Sequence, residues 1–339
     1  MRRKIFRRIL HLGIAVLTVG ALVAGVAFVG NDYRFAVHQV VIPGPAGSLD
    51  GVVALPSTGR PSGVVLMVHG DGPVNATRDG LYHPWFEGAA DAGFATVAWS
   101  KPGVGASAGD WLTQSMPDRS REVAAVLDWL RERPDLAGLP VVLWGASQAG
   151  WVVPSVAAAR EEVRAVVAVG TAIDWRRQGR FHLRAELDHS GAPADERARA
   201  IAESDRTLAL LERGATYDDY RASTTDAEPM SRERWGFVLA NFRSDVTPDL
   251  PGLALRGIPV HLMAGEDDRN VHVAETERVY RSALGASLSV STFPAAHSLA
   301  RPIMEDSDPV GVATGVIWPR GLLAPGVIDD YRAFLRSVR

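Results

Sequence analysis

The residue pattern with the clearest chemical content surrounds Ser147. The run Leu143-Trp144-Gly145-Ala146-Ser147-Gln148-Ala149-Gly150 leads from an apolar strand pattern into a serine among small residues, and an apolar helix is predicted to begin at Trp151. At such a turn the hydroxyl is exposed, and small neighbours keep the strand and the helix from colliding. The amide of Gln148 would lie at the helix N-terminus, which favours an oxyanion. The pattern indicates a nucleophile; a strand-to-helix turn with a capping serine is the alternative.

Three further segments carry the groups that such a nucleophile needs. The glycine-rich turn His69-Gly70-Asp71-Gly72-Pro73 ends a strand pattern and can present a second backbone donor. Three acids at 266–268 follow an apolar run, and His297 follows the last such run. Taken singly, a structural histidine, a solvated acidic loop and an incidental histidine are the alternatives.

The chain order of these groups supports a common site. Ser147, an acid near 268 and His297 each follow a separate predicted strand. Because ligands and catalytic groups in open α/β sheets gather at the carboxyl ends of the strands, residues far apart in sequence can meet there. The sequence therefore predicts a Ser–Asp–His arrangement.

The elements that must position these groups alternate between strand and helix patterns. Residues 40–42 and 51–55 flank a Pro-Gly-Pro-Ala-Gly turn and predict an antiparallel hairpin. Runs rich in β-branched or aromatic residues, typical of parallel strands buried on both faces, occupy 64–68, 94–99, 141–144, 163–169, 258–263 and 288–293. Helical patterns lie between them, as at Val123, Val126 and Leu127. We expect an α/β fold with a mostly parallel twisted sheet and helices on both faces.

One long stretch interrupts this alternation. Residues at about 172–256 contain no convincing strand pattern, although spacings such as Ile201, Ser204 and Leu208 are helical. A segment of this length is too long for a simple loop in a compact domain. We therefore expect a helical cap insertion within a domain that spans 31–339.

The first thirty residues are predicted to lie outside the globular fold. Residues 1–8 carry five basic side chains and form a basic cytoplasmic segment, and residues 12–30 have no ionisable side chain. The stretch 9–30 is long enough to cross a bilayer as a helix, so we expect a transmembrane anchor, with a cleaved signal peptide as the alternative. The basic cluster favours a catalytic domain outside the cytoplasm, membrane-anchored or, after cleavage, secreted.

Composition excludes several other classes. The chain of 339 residues has no cysteine, which excludes disulfides, thiolate metal sites and a cysteine nucleophile. Its net charge is −3, and without the five basic residues near the N-terminus the remainder is more acidic still. This balance argues against a nucleic-acid-binding body.

With these motifs in order, the chain resembles the α/β-hydrolase superfamily, and within it the prolyl-oligopeptidase-like and esterase branch, over about residues 36–339. The acid motif of that superfamily, Gly-x-x-Asp-x-x-Val, falls on Gly265, Asp268 and Val271. The resemblance therefore implies Asp268, rather than its acidic neighbour, as the triad acid. It also implies the Asp71 amide as the second oxyanion donor. We expect the Asp71 carboxylate to point outward, since it would otherwise oppose the developing charge.

A related turn departs from the superfamily pattern. The segment 99–107 is similar to the superfamily's Asp-x-Arg-Gly-x-Gly-x-Ser turn, but Ser100 and Pro102 replace the aspartate and the arginine. These positions carry no catalytic role in the resemblance, so the departure weakens the match without affecting the implied chemistry.

The resemblance implies acyl transfer to water. His297 would take the proton of Ser147, Asp268 would orient the imidazole, and the amides of Asp71 and Gln148 would hold the oxyanion. Carboxylic esters are the expected small-molecule substrates. Aromatic residues of the insertion are candidates for the pocket walls, with packing of the insertion as the alternative: Trp175, Tyr217, Tyr220, Trp235, Phe237 and Phe242.

Other functions share these features. A peptidase or aminoacyl hydrolase, or a thioesterase, would use the same triad. A non-catalytic, membrane-tethered binding protein of the same fold is the alternative from another class. No cofactor is assigned, and a metal site built from His69, Asp71 and His83 matches no defensible ligand spacing. The expected partners are an acyl substrate and, through the N-terminal helix, a membrane.

Overall fold

The computed structural model describes residues 18 and 20–338. The predicted basic segment 1–8 and about half of the predicted apolar segment 9–30 lie outside these residues. Helix α1 is described over residues 20–30. Within the described part of the chain, no helix has both the length and the apolar character needed to cross a membrane.

Eight strands form one sheet in the order β1-β2-β4-β3-β5-β6-β7-β8. The pairs from β4 through β3 to β8 are parallel, whereas β2 runs antiparallel to both β1 and β4. The predicted hairpin and the mostly parallel sheet are therefore confirmed. The strands are β1 (Phe35–Gly44), β2 (Gly47–Pro56), β3 (Gly63–Val68), β4 (Phe94–Trp99), β5 (Val141–Ala146), β6 (Val163–Val169), β7 (Val260–Gly265) and β8 (Leu288–Phe293).

Helices cover both faces of this sheet. Beyond α1, the helices are α2 (His83–Asp91), α3 (Met116–Arg131), α4 (Val153–Ala159), α5 (Trp175–His189), α6 (Ala194–Glu212), α7 (Tyr217–Ser223), α8 (Arg232–Asn241), α9 (Leu250–Arg256), α10 (Val273–Leu284), α11 (Pro302–Asp306), α12 (Asp308–Ile317) and α13 (Val327–Ser337). Helices α5 to α9 occupy the stretch between β6 and β7, where the sequence predicts a helical insertion.

Two apolar cores explain why a central strand such as β3 is apolar throughout. On one face, side chains of α3, α4, α9 and α10 pack against the sheet, among them Leu127 and Tyr280. On the other face α2 and α13 do so, through residues such as Phe86 and Tyr331. All six residues of β3 are buried because each strand residue points into one core or the other.

The strand order reverses direction around β3. The chain passes from β3 to β4 on one side and then crosses to β5 on the other. Such a reversal opens a crevice at the carboxyl ends of the two strands, where ligands bind in α/β sheets. The turns that follow β3 and β5 are those of Asp71 and Ser147, so the topology places both predicted segments at this crevice.

Candidate active site

Ser147 lies in a sharp turn at the end of β5. Its φ of 51° is in the left-handed region, which costs a non-glycine residue about 1–2 kcal/mol. A Cβ on Gly145 would lie 2.7 Å from Val153 Cγ2, so the turn requires glycine there. The predicted α-helix at Trp151 is wrong in detail, because residues Ser147–Trp151 form a 3₁₀ turn and α4 begins only at Val153.

His297 and Asp268 form a buried hydrogen-bonded pair. His297 Nδ1 lies 2.9 Å from Asp268 Oδ2, and the Asp268 side chain is 1% exposed. The other carboxylate oxygen, Oδ1, accepts the backbone N–H groups of Asn270 and Val271, each at 2.8 Å. The acceptor beside Nδ1 assigns the proton to that nitrogen and leaves Nε2 free to accept one. Glu266 and Asp267, by contrast, are exposed.

Gly170 connects this pair to the serine turn. Ala146 of β5 pairs with Val169 of β6, so Ser147 and Gly170 are the next residues on adjacent strands. A Cβ on Gly170 would lie 3.2 Å from His297 Cε1. The histidine ring therefore lies at the strand end beside the serine turn. The sequence analysis did not single out Gly170, although a glycine directly after a buried strand is a detectable signal.

The turn after β3 contacts the serine turn from the other side. A Cβ on Gly70 would lie 3.3 Å from both Ser147 Cβ and Ala146 O. The two backbones therefore approach closely, and glycine at position 70 leaves room for that approach. This approach brings the backbone next to Asp71 against the Ser147 turn, where the sequence predicts the second oxyanion donor.

The Asp71 carboxylate is bound by a guanidinium from the insertion. Arg234 of α8 donates to its two oxygens at 3.0 and 2.5 Å. Partial burial alone would raise the pKa of Asp71, but the hydrogen bonds and charge of Arg234 outweigh burial and hold that pKa below its ordinary value. Sequence reasoning missed Arg234, since its partner lies 163 residues away.

A second arginine joins the two donor-bearing turns. Arg119 of α3, itself 4% exposed, donates to Gln148 Oε1 at 2.7 Å and to the carbonyl oxygen of His69 at 2.5 Å. The pair of bonds holds the turns after β3 and β5 at a constant separation. No motif in the sequence marks Arg119, because it occurs within an ordinary amphipathic helix pattern.

His69 is a structural residue in this arrangement. Its Nε2 lies 2.6 Å from the carbonyl oxygen of Trp99, and burial lowers the pKa of His69 to about 3. The ring is therefore neutral and donates to that carbonyl. Across residues 18 and 20–338, no group of three or more histidine or acidic side chains could hold a metal ion.

Comparison with known protein families assigns the chain to one of them. The family model of the X-Pro dipeptidyl-peptidase (S15 family) matches residues 48–293, which is more than half of the chain. The chain belongs to the S15 family. The predicted membership of the α/β-hydrolase superfamily is thereby confirmed, and so is the prediction of an enzyme.

Solved structures similar to this S15 family member include esterases with the same fold. An esterase of Pyrococcus furiosus has a TM-score of 0.53 at 16% identity, covering 85% of this chain and 92% of that chain. A thermostable carboxyl esterase of Bacillus coagulans has a TM-score of 0.53 at 16% identity, covering 83% and 99%. An esterase of Pyrobaculum calidifontis has a TM-score of 0.52 at 15% identity, covering 94% and 90%. At these identities the likeness establishes the fold alone. No curated protein sequence matches significantly.

A cavity of about 800 Å³ borders His297 in this S15 protein. Apolar side chains from three parts of the fold line it: Leu81, Trp85, Trp144, Met304, Val312 and Val316. Glu305 of α11 also lines it, and burial raises the pKa of that carboxyl. Because the last three apolar residues belong to α11 and α12, a wall of this cavity comes from the segment after His297, which the sequence analysis left without a role.

The predicted aromatic pocket walls do not border this cavity. They pack within the insertion or against the sheet: Trp175, Tyr217, Tyr220, Trp235, Phe237 and Phe242. Three of them, Trp175, Tyr220 and Phe242, also line a separate cavity of the insertion. Tyr220 and Trp235 stack with ring centroids 4.5 Å apart, and Trp175 stacks on Trp151 at 5.1 Å. A helical layer attached to the sheet needs its own apolar core, and these side chains supply it.

Proposed function

We propose that this S15 family member is a serine hydrolase that cleaves carboxylic esters through an acyl-enzyme intermediate. Ser147 Oγ attacks the ester carbonyl while His297 Nε2 takes its proton, and the alcohol leaves with a proton from the same nitrogen. Water, deprotonated by His297, then releases the acid and restores the serine. Asp268 holds the imidazole tautomer throughout.

The observation that carries this proposal is the position of the His297–Asp268 pair beside the Ser147 turn. The 2.9 Å hydrogen bond orients the ring, and Gly170 leaves room for the ring at the neighbouring strand end. We propose the amides of Asp71 and Gln148 as the oxyanion donors, since the two turns are tied together by Arg119. One such donor typically contributes about 10²–10³ in turnover.

Esters are the preferred substrate class because the lining of the cavity beside His297 is largely apolar. Aromatic and aliphatic side chains such as Trp85, Trp144 and Val312 suit an acyl chain. A peptidase acting at a free N-terminus is the second candidate. The family match favours it, and the Glu305 carboxylate in the same cavity provides a partner for a substrate ammonium group.

The proposed localisation is a membrane-anchored or, after cleavage, secreted protein with its catalytic domain outside the cytoplasm. Support comes from the sequence alone: five basic residues within 1–8 precede an apolar stretch that ends near residue 30.

Substitution of the nucleophile tests the proposed function. Ser147→Ala should lower hydrolysis of a short p-nitrophenyl ester on the order of 10⁶-fold, because no other group supplies the attacking oxygen. It should also abolish labelling by a fluorophosphonate probe. Ser155→Ala is the matched control, since the Ser155 hydroxyl lies on α4 and bonds the carbonyl of Val152.

Three outcomes separate the alternatives. Equal labelling of wild type and Ser147→Ala would refute the assignment of the nucleophile, and absence of labelling in wild type would favour a binding protein. Higher kcat/KM for aminoacyl-prolyl p-nitroanilides than for the ester series would replace the esterase by the peptidase.

A further inference from the structure

Helix α12, together with Ile303 of α11, presents an apolar surface that exposed Glu305, Asp306 and Asp308 border. Four large apolar side chains are exposed between residues 303 and 316: Ile303, Val310, Val312 and Val316. After Asp308, the sequence of α12 contains no charged residue. Exposed apolar side chains are ordinarily scattered singly, so a concentration of this kind marks an interaction surface.

The end of α1 is fastened to the end of α12. Asn31 Nδ2 donates to the Val316 carbonyl at 3.1 Å, and Arg320 Nη1 donates to the Gly30 carbonyl at 2.7 Å. A Cβ on Gly30 would lie 2.4 Å from the Ile317 carbonyl oxygen, so the two chain segments are in direct backbone contact. The position of α12 relative to the end of α1 is therefore determined by the fold.

Helix α1 adds a second exposed apolar surface at the same place. Its exposed large side chains are Leu22, Val23, Val26, Phe28 and Val29. We refer to these residues together with the four of α11 and α12 as the α1–α12 face. Trp318, partly exposed, lies against Gly30 at the junction of the two helices. Tryptophan is enriched where membrane proteins meet the lipid headgroups.

The chain that precedes α1 identifies the occupant of this face. The apolar stretch continues upstream to residue 9 and is flanked by five basic residues within 1–8. A basic flank followed by more than twenty mostly apolar residues matches a lipid bilayer, with the basic residues at its anionic cytoplasmic surface. The other end of the stretch, near Gly30, would then emerge at the opposite leaflet, beside α12.

The same helix separates this face from the catalytic cavity. Val312 and Val316 are exposed and also line the cavity that His297 borders, and Asn31 lines it too. An amphiphile that leaves the bilayer beside α12 would therefore reach the cavity without its acyl chain crossing bulk water.

We propose that the α1–α12 face docks on the outer leaflet of the membrane and that the cavity takes its substrates from that leaflet. The substrates would be amphiphilic esters with a long acyl chain. The proposal rests on the proposed ester hydrolysis for its substrate class, whereas the docking itself is independent of catalysis.

Site-directed labelling tests the docking directly. Because the chain has no cysteine, Val310→Cys and Val316→Cys each give a single labelling site for an environment-sensitive fluorophore. In the full-length protein reconstituted into vesicles of phosphatidylcholine and phosphatidylglycerol, both labels should shift to the blue and be quenched by nitroxide lipids. Leu255→Cys is the control, since Leu255 lies on α9 and is 90% exposed; its label should remain in water.

Water-like emission from all three labels would overturn the docking. Shielding that depends on protein concentration and persists when the lipid is diluted would also overturn the docking, because a second copy of the chain would then cover the face.

Charge substitutions test the source of the substrate. Ile303→Glu and Val310→Glu each introduce a negative charge on the α1–α12 face, and neither Ile303 nor Val310 lines the cavity. They should lower hydrolysis of a long-chain p-nitrophenyl ester embedded in vesicles about tenfold, equivalent to about 1.4 kcal/mol. Hydrolysis of dissolved p-nitrophenyl acetate should not change, and Leu255→Glu should change neither rate.

Equal rates on the embedded ester for wild type and both variants would overturn membrane delivery. A wild type inactive on both esters would refute the proposed function instead, and the labelling result would still decide whether the face docks on lipid.

Discussion

The Asp71 carboxylate places a negative charge near the proposed oxyanion site, and Arg234 pairs with that charge. The backbone next to Asp71 contacts the Ser147 turn, so an unpaired carboxylate there would oppose negative charge developing on the substrate oxygen. Two hydrogen bonds from Arg234 neutralise it, at 3.0 and 2.5 Å. Arg234, a residue of the insertion, thereby acts on the proposed oxyanion site through Asp71. It does not contact the substrate and is therefore a positioning residue.

Removal of this guanidinium should therefore lower kcat. We expect Arg234→Ala to reduce kcat on a short ester about 10- to 100-fold with little change in KM. The Asp71 carboxylate, left unpaired, would oppose the negative charge of the transition state rather than the bound substrate. The double variant Asp71→Asn with Arg234→Ala should recover to within about threefold of wild type, since no charge then remains to neutralise.

Arg232→Ala is the matched control for this experiment. Arg232 belongs to the same helix and pairs with Asp218 at 2.7 Å within the insertion, so its loss should leave kcat unchanged. A double variant as slow as Arg234→Ala would show that Arg234 acts by another route than neutralising Asp71.

The ends of three adjacent strands, β6, β7 and β8, carry Gly170, Asp268 and His297. Gly170 has a φ of 53°, and a Cβ there would lie 3.2 and 3.3 Å from two atoms of the imidazole. The close contact means that the backbone at the end of β6 sets how far the histidine ring can lean toward that strand. Sequence periodicity places all three residues after strands, but the contact itself depends on the sheet register.

Gly170→Ala should affect both stability and activity. The left-handed φ should cost about 1–2 kcal/mol of unfolding free energy. Displacement of the imidazole should lower kcat by about 10- to 100-fold, because misplacement of a catalytic group by about 1 Å costs on that order. Urea unfolding and steady-state kinetics measure the two effects.

Gly214→Ala separates strain from displacement. Gly214 has a φ of 66° and nothing within 4 Å of a Cβ placed on it. It should lose similar stability and retain full activity. Wild-type kinetics in Gly170→Ala would show that the His297 ring does not depend on this contact.

Lys101 is buried in the fold. The stability of the entire domain should depend on whether the Lys101 amine is protonated. Lys101 is 3% exposed, and its Nζ lies 4.9 Å from the ring centroid of Trp111. Burial, followed by the positive charge of Arg119, lowers the pKa of Lys101 from 10.5 to about 6. The folded protein therefore holds this amine largely neutral above pH 6, whereas the unfolded chain keeps it protonated up to about its ordinary pKa.

Stability should consequently increase with pH between about 6 and 10. The unfolded state binds the additional proton in this window, so Lys101 contributes a slope of up to about 1.4 kcal/mol per pH unit, and its destabilising effect is fully present below pH 6. Lys101→Met should be more stable than wild type at pH 7, and that advantage should shrink as pH is raised. Urea unfolding at pH 7, 8 and 9 measures it, and a pH-independent difference would contradict the lowered pKa.

The sequence by itself determined the sheet and the positions of the chemical groups along it. Strands buried on both faces must be apolar at every position, so runs such as 64–68 mark parallel strands without knowledge of their neighbours. The resemblance of Gly265-x-x-Asp268 to the acid motif of the α/β-hydrolase superfamily likewise implied the acid that hydrogen-bonds to His297 in the structure. These features are local, because they follow from the chain's own periodicity and turn chemistry.

Only the tertiary structure decided which remote side chains meet. Nothing in the sequence indicates that Arg234 pairs with Asp71. The two side chains meet because α8 packs beside the turn after β3. Trp235, one of the predicted pocket aromatics, packs in the core of the insertion, whereas a wall of the cavity beside His297 comes from α11 and α12. Apolar residue types alone cannot distinguish a pocket wall from a core, since both bury the same surface and differ only in what covers them.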